Sequence, residues 1–411
     1  MQDACDSVTV PILADSGKGT ASFFKTTFNC LNTLLGIAVL SVPYALSCGG
    51  WASLLLLLII PTATCYTGLL IEKCMQADSN IRTFPGIGEK AFGARGRLVV
   101  SIFINLELYL IAISFLILVA DNLHSLVPNL HVSVQGFVIN GHQTCILLAA
   151  VIIMPTVWID NLTTLSYVSA TGIVATVVIA GSVVWSGAFD GVGFNQKGVF
   201  LNWSGLPTSL SLYTLCYCNH PIFPTLYTSM RNRKQFKWVL VVCFVITTSV
   251  CVSMAILGYL MFGSQLKSQI TLNLPTNALS AKVATYTALV NPLAKYALFL
   301  KPIVDAVESR LLSAHGKRIG SAFTGSALLC STVLVALTIP YYEIFMSFIG
   351  AFTTVIGSIL LPCLCYLRIC GGCVDLGFEL VVIRCTVLMG LLILVVGTYT
   401  CFIQIFEILY I

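Results

Sequence analysis

The chain has 411 residues, of which 57% are hydrophobic and only 9% charged, with a formal net charge of +5. Soluble domains carry about 25% charged residues, so this composition excludes a soluble enzyme or nucleic-acid-binding module and points to a polytopic membrane protein. The 17 cysteines are scattered through apolar stretches, which defines no disulfide framework, and no histidine cluster accompanies Cys370 and Cys373 to make a metal site.

A helix crossing a bilayer needs about 20 apolar residues. Eleven such stretches are predicted, near residues 22–46, 50–75, 97–120, 143–159, 162–186, 206–229, 238–262, 279–310, 321–340, 343–368 and 380–410. Residues 1–20 hold Asp3, Asp6 and Asp15 without an apolar core and read as a short cytosolic tail, with the first span acting as insertion signal.

The first span is built to break. Asn32-Thr33-Leu34-Leu35-Gly36 leads on to Pro43-Tyr44. A helix in lipid satisfies its own backbone, so Asn, Gly and Pro at mid-depth free N–H and C=O groups that must face protein, ions or a wet cavity. The sixth span repeats the device with Leu215-Cys216-Tyr217, then Asn219-His220-Pro221 and Pro224. Interrupted spans at matching places in two halves are the best sequence pointer to a transporter's binding site. Between these spans, Phe84 to Phe92 reads as an amphipathic turn or short helix on the cytosolic side, and residues 121–142 form a loop on the other side.

Charges inside spans are costly and mark function by default. Glu107 lies about ten residues into the third span, where an acid can take up and release a proton; the alternative is a structural hydrogen bond to a neighbouring helix. Lys295 sits in the middle of the eighth span, where a fixed ammonium can occupy the place of a sodium ion. His220 borders the second break and either titrates there or bonds a freed carbonyl. His124, His131 and His142 are expected to be solvated.

Lys and Arg placement sets the orientation. With a cytosolic N-terminus, Lys18, Lys25, Lys73, Arg82, Lys90, Arg95, Arg97, Arg231, Arg233, Lys234, Lys237, Arg310, Lys317, Arg318, Arg368 and Arg384 fall on the cytosolic side. Only Lys197, Lys267 and Lys282 fall opposite, which places the C-terminus in a lumen or outside the cell. Asn202-Trp203-Ser204 is a glycosylation sequon in a short non-cytosolic loop. Five spans per half implies an inverted repeat, with residues 21–190 and 200–370 as the two repeats and 378–411 as an added eleventh helix.

At these residues the chain resembles the amino acid/auxin permease family, and most closely its plant and fungal vacuolar amino-acid transporters and the related vesicular inhibitory amino acid transporter. The likeness rests on Asn32-x-x-x-Gly36 with Leu40-Ser41-x-Pro43-Tyr44-Ala45, and on Glu107-Leu108-Tyr109 through Asp121-Asn122-Leu123. Leu165-Ser166-Tyr167-x-Ser169-Ala170, Phe223-Pro224-x-x-Tyr227, Asn291-Pro292-x-x-Lys295-Tyr296 and Leu361-Pro362-Cys363 continue it. The resemblance implies an all-α, LeuT-type fold of about eleven transmembrane helices, with a 5+5 inverted repeat and discontinuous helices 1 and 6. It also implies that the α-amino and α-carboxyl groups of a free amino acid meet main-chain atoms at Thr33, Leu34, Leu35, Gly36 and Ile37 and at Leu215, Cys216 and Tyr217. Sodium-driven relatives carry a hydroxyl residue where this chain has Ile37; with Lys295 present, that implies proton coupling through Glu107, Lys295 and His220 and no sodium site or other cofactor.

The resulting expectation is a monomeric, non-enzymatic carrier of neutral amino acids in a vacuolar membrane or other endomembrane, with the plasma membrane as the alternative location. An amino acid sensor and an auxin-like organic acid permease are the competing readings.

Overall fold

The computed structural model describes residues 19–128, 130, 132–134, 137–158, 172–217, 219–311, 317–371 and 377–409. Most of the N-terminal tail, the Leu165–Ala170 motif and Cys373 lie outside the described residues.

The described chain is nearly all helix. In chain order, α1 spans Phe23–Leu34, α2 Val42–Gly49, α3 Leu56–Ala77, α4 Phe84–Leu126, α5 Gly141–Val157, α6 Gly172–Phe189 and α7 Leu206–Leu215. Then follow α8 Phe223–Ser229, α9 Phe236–Phe262, α10 Leu279–Leu311, α11 Lys317–Thr338, α12 Tyr342–Phe348, α13 Leu361–Cys370 and α14 Phe378–Leu409. Each of the eleven apolar stretches falls on helix, and seven helices among the described residues are long and apolar enough to cross a membrane, or eight if the bent pair Phe23–Leu34 and Ala38–Gly49 is one span. The other stretches fall short for visible reasons. One is only the 17-residue α5, one is divided between α7 and α8, and α10 carries Lys282, Lys295 and Lys301.

Local chemistry sets several boundaries. Ser22 caps α1 by accepting from the Lys25 N–H. The amphipathic turn expected at Phe84 is the first part of α4, separated from the rest by Gly93, whose φ of 68° is a left-handed conformation that suits glycine. The loop expected over 121–142 contains a small antiparallel hairpin, with β1 (Val132–Val134) registered Val132 opposite Ile139 of β2 (Phe137–Ile139). Asp78, just beyond α3, pairs with Lys90 at 2.7 Å, and that ammonium holds its carboxyl below the usual carboxylate range.

The chain divides into two compact units, and the division passes through α4 between Glu107 and Leu108. One unit takes Leu108–Gly198 and Ile256–Phe345. Within it α10 packs against α5, α6 and α11. The Tyr296 hydroxyl meets Thr332 Oγ1 at 2.6 Å, Tyr109 donates to Ser331 at 2.9 Å, and the Phe115 and Phe299 rings meet edge to face. At the end of α4, Asp121 accepts from Gln269 Nε2 at 2.9 Å and lies 2.8 Å from His142 Nε2, while Asn122 joins Gln269 and Thr271. His142 is thus a paired group and not the solvated one expected from its loop position.

The other unit takes Leu13–Glu107, Val199–Ala255 and Met346–Ile411. Here α3 packs against α13, α2 against α7, and α14 against α7 and the irregular stretch after α12. That stretch is π-helical over Ile349–Thr354 and Ile356–Leu360. Lys73 of α3 pairs with Glu379 at the start of α14, and Tyr366 donates to the same carboxylate at 3.1 Å. Both partners of the ion pair are partly exposed, so it contributes at most about 1 kcal/mol. Asn202 of the sequon donates its main-chain N–H to Gly49 O at 3.0 Å, which draws the sequon in against the end of α2.

Candidate functional site

The first break lies at Leu35–Gly36. Leu35 leaves helical geometry with ψ 64°, Gly36 is extended at φ −94° and ψ −164°, and a short 3-10 turn over Ile37–Ser41 follows. Asn32 and Thr33 sit in the last turn of α1, where Thr33 Oγ1 donates to Cys30 O at 2.8 Å. Pro43 lies in the first turn of α2, where a missing N–H costs nothing and the fixed φ favours helix.

The second break follows α7. The N–H groups of Cys216 and Tyr217 reach back three residues to Tyr213 O and Thr214 O, tightening the helix end, and Asn219 is non-helical. Pro221 and Pro224 occupy starting positions of the turn His220–Ile222 and of α8, so they begin the next half-helix and do not interrupt one. Leu34, Leu35, Leu215, Cys216 and Tyr217 are all buried. The Tyr217 hydroxyl meets Thr248 Oγ1 at 3.0 Å, and its ring stacks on Phe244.

Both breaks belong to one unit, and their flanking half-helices are fastened together on either side. Beyond the breaks on one side, α2 meets α7: Ser209 Oγ donates to Ala45 O, and a Cβ on Gly205 would fall 2.1 Å from Cys48 O. On the other side, Ala21 before α1 bridges to Met230 after α8, with Ala21 N–H donating to Ser229 O at 2.9 Å and Arg231 N–H to Ala21 O at 3.0 Å. Small residues permit this close backbone approach, which is the packing available where lipid supplies no hydrophobic drive between helices.

Glu107 is buried, with 5% exposure, and Oε1 accepts from Thr354 Oγ1 at 2.9 Å. A Cβ on Gly357 would stand 3.8 Å from Oε2. His220 is fully buried. Its Nε2 lies 2.9 Å from both Thr64 O and Thr67 Oγ1. A carbonyl can only accept, so Nε2 carries the hydrogen, and Thr67 Oγ1 donates in turn to Ser358 O at 2.7 Å. Lys295 is 6% exposed at the middle of α10, in the unit that does not hold the two breaks.

Glu107 and His220, unrelated in sequence, are thus brought to one π-helical stretch. Thr64, Thr67, Thr354 and Ser358 complete these contacts and are not singled out by sequence reasoning. Thr353-Thr354 and Gly357-Ser358 inside an apolar span are the signal that was available. A cavity of about 570 Å³ opens between α3 and α9, lined among others by Pro61, Cys65, Tyr66, Phe244 and Thr248. It includes none of the predicted site residues and reaches them only through the Thr248–Tyr217 bond.

Comparison with known proteins agrees with this geometry. The model of the family described as transmembrane amino acid transporter protein matches residues 19–403. Amino acid transporter AVT1I of Arabidopsis thaliana is 52% identical over 93% of this chain and 94% of its own length, and AVT1J of the same plant is 50% identical over 93% and 91%. The crystal structure of MhsT in complex with L-phenylalanine superposes with a TM-score of 0.53 at 12% identity, covering 91% of this chain and all of that one. Mhp1, a nucleobase-cation-symport-1 family transporter in a closed conformation with bromovinylhydantoin, gives 0.54 at 12% over 94% and 91%. At that identity the likeness shows the fold alone, which is the LeuT-type arrangement with its discontinuous first and sixth spans. The chain is therefore no enzyme: it belongs to the transmembrane amino acid transporter family.

Proposed function

We propose that this chain is a proton-coupled carrier of neutral amino acids working by alternating access in a vacuolar membrane or other endomembrane. One observation carries the reading: the interruptions at Leu35–Gly36 and Cys216–Asn219 lie in one unit whose half-helices are pinned on both flanks. Such a pair can move as one body while its freed main-chain groups receive a ligand. The half-helix amides suit a carboxylate and the terminal carbonyls an ammonium. Thr33, Leu34, Leu35, Gly36 and Ile37 on one side and Leu215, Cys216 and Tyr217 on the other supply these groups.

Glu107 takes the coupling proton, with His220 and Lys295 as the other coupling residues, and no sodium ion or other cofactor is used. The site carries no side-chain charge to recognise a charged substrate side chain, which supports neutral amino acids. The vacuolar placement is supported by the sequence motifs, and the cytosolic N-terminus and lumenal C-terminus by the Lys and Arg distribution. Residues 21–190 and 200–370 serve as the inverted repeats, 378–411 as the appended helix, and the working unit is a monomer.

The test is uptake of pooled labelled amino acids into proteoliposomes with imposed pH gradients of either sign. Gradient-dependent accumulation is expected. Binding without flux would favour a sensor, and flux confined to auxin-like acids an organic acid permease.

A sharper expectation concerns Gly36. A Cβ there would meet nothing nearer than Thr33 O at 3.7 Å, so Gly36→Ala fits the fold. It crowds the main chain only on the side offered to substrate, and KM should rise by about tenfold, equivalent to about 1.4 kcal/mol, with the amount of folded protein unchanged. An unaltered KM in the variant would move the substrate away from the first break.

A further inference from the structure

Two buried polar contacts of one unit end on the same irregular stretch. Thr354 Oγ1 donates to Glu107, and Ser358 O accepts from Thr67 Oγ1, which together with Thr64 O holds the His220 ring at the second break. Thr354 and Ser358 are four residues apart within Ile349–Leu360. All five side chains, those of Glu107, Thr354, Ser358, Thr67 and His220, are buried.

The behaviour of the two adjacent threonines is informative. A threonine inside a helix ordinarily returns its hydroxyl to the carbonyl four residues back. Thr353 does so, donating to Ile349 O at 3.0 Å. Thr354 instead donates across to Glu107 on another helix. The stretch that carries it is π-helical, a geometry with poorer hydrogen bonding that recurs at functional sites.

We propose that Thr354 is a positioning residue for the proton taken by Glu107, and that the π stretch carries the charge state of Glu107 to the second break through Ser358, Thr67 and His220. This rests on the proton-coupled reading above. A hydrogen bond to a carboxylate is roughly twice as strong as one to a neutral acid. When Glu107 gains a proton, the hold on Thr354 weakens, and a backbone already short of regular bonds is free to re-form. The Ser358 carbonyl moves with it, and Thr67 and His220 are fastened to that carbonyl and to α3. The residues turned to Glu107 from this stretch, Thr354 and Gly357, do not titrate, and among the described residues no charged group acts on Glu107. The charge that changes is therefore its own.

The experiment measures initial uptake of a pool of labelled neutral amino acids by the full chain in proteoliposomes across pH, alongside counterflow at equal pH. Thr354→Val removes the donor while keeping the shape. A hydroxyl donating to the carboxylate opposes proton uptake, so the midpoint of the pH profile should move to higher pH by about one unit. Thr354→Ser should restore the wild-type profile. Thr67→Val should keep counterflow and lose pH dependence, and combining it with Thr354→Val should add no further shift, since both act on one relay. If Thr354→Val does not reach the membrane, Thr354→Ala provides the same readout.

Wild-type uptake that ignores pH would overturn the proton-coupled reading and the relay with it. Wild-type uptake driven by pH, with Thr354→Val superimposable on it or with strictly additive shifts in the double variant, would overturn the relay alone.

Discussion

Replacing Glu107 by Gln is expected to abolish pH-driven accumulation while leaving counterflow at equal pH intact. Gln keeps the length and volume of Glu, and its amide oxygen accepts from Thr354 as the carboxylate does. What is lost is the ability to bind and release a proton. Holding an ionisable acid in the middle of a span costs about 3 kcal/mol or more unless the site uses it. Glu107 is buried with a single hydroxyl as donor, too little compensation for a purely structural carboxylate. The check is a proteoliposome assay with and without a gradient. Concentrative uptake at the wild-type ratio would remove Glu107 from the coupling step.

The second large effect is expected at Gly350. A Cβ there would lie 2.0 Å from Ser211 O and 2.8 Å from Ser211 C, which are backbone atoms that cannot swing aside. Gly397 of α14 approaches the same residue, with its Cβ position 2.5 Å from Ser211 Oγ. The half-helix α7 is thus gripped between two glycines one turn before it ends at the second break. Gly350→Ala must push α7 away by more than 1 Å, at a cost of about 1–3 kcal/mol by analogy with overpacked cores. Gly350→Leu should leave little folded protein. Because the displaced helix ends at Leu215 and Cys216, the Ala variant should also raise KM, in contrast to surface substitutions of equal stability cost. Thermal melting by size-exclusion fluorescence together with uptake measures both, and an Ala variant as stable and active as wild type would refute the tight approach.

Much of the architecture was legible in the sequence because membranes impose strong local rules. Runs of about 20 apolar residues, Gly and Pro at mid-depth and a lone acid in a span are local signals. They led directly to the breaks at Leu35–Gly36 and after Cys216 and to the depth of Glu107. The break residues were read less finely. Pro43, Pro221 and Pro224 each open a half-helix, a distinction that depends on where the preceding turn ends. The partners were not legible. Thr354 is 247 residues from Glu107, and Thr67 is 153 from His220, so nothing in either neighbourhood announces the other. Likewise the hairpin Val132–Ile139 hides in a loop too short to show a strong alternation, and His142 finds Asp121 only through folding.

The π geometry of Ile349–Leu360 has an evolutionary corollary. A π turn accommodates a residue that an α turn of the same rise would exclude. Losing a single codon from this stretch would let it close into α-helix and rotate everything after it by about 100°. Pro362, Cys363, Cys365 and Tyr366, buried on the face of α13 in a unit where α13 packs against α3, would then swing toward lipid. Point substitutions here alter chemistry at one position, whereas a one-residue deletion changes the register of the whole remaining chain.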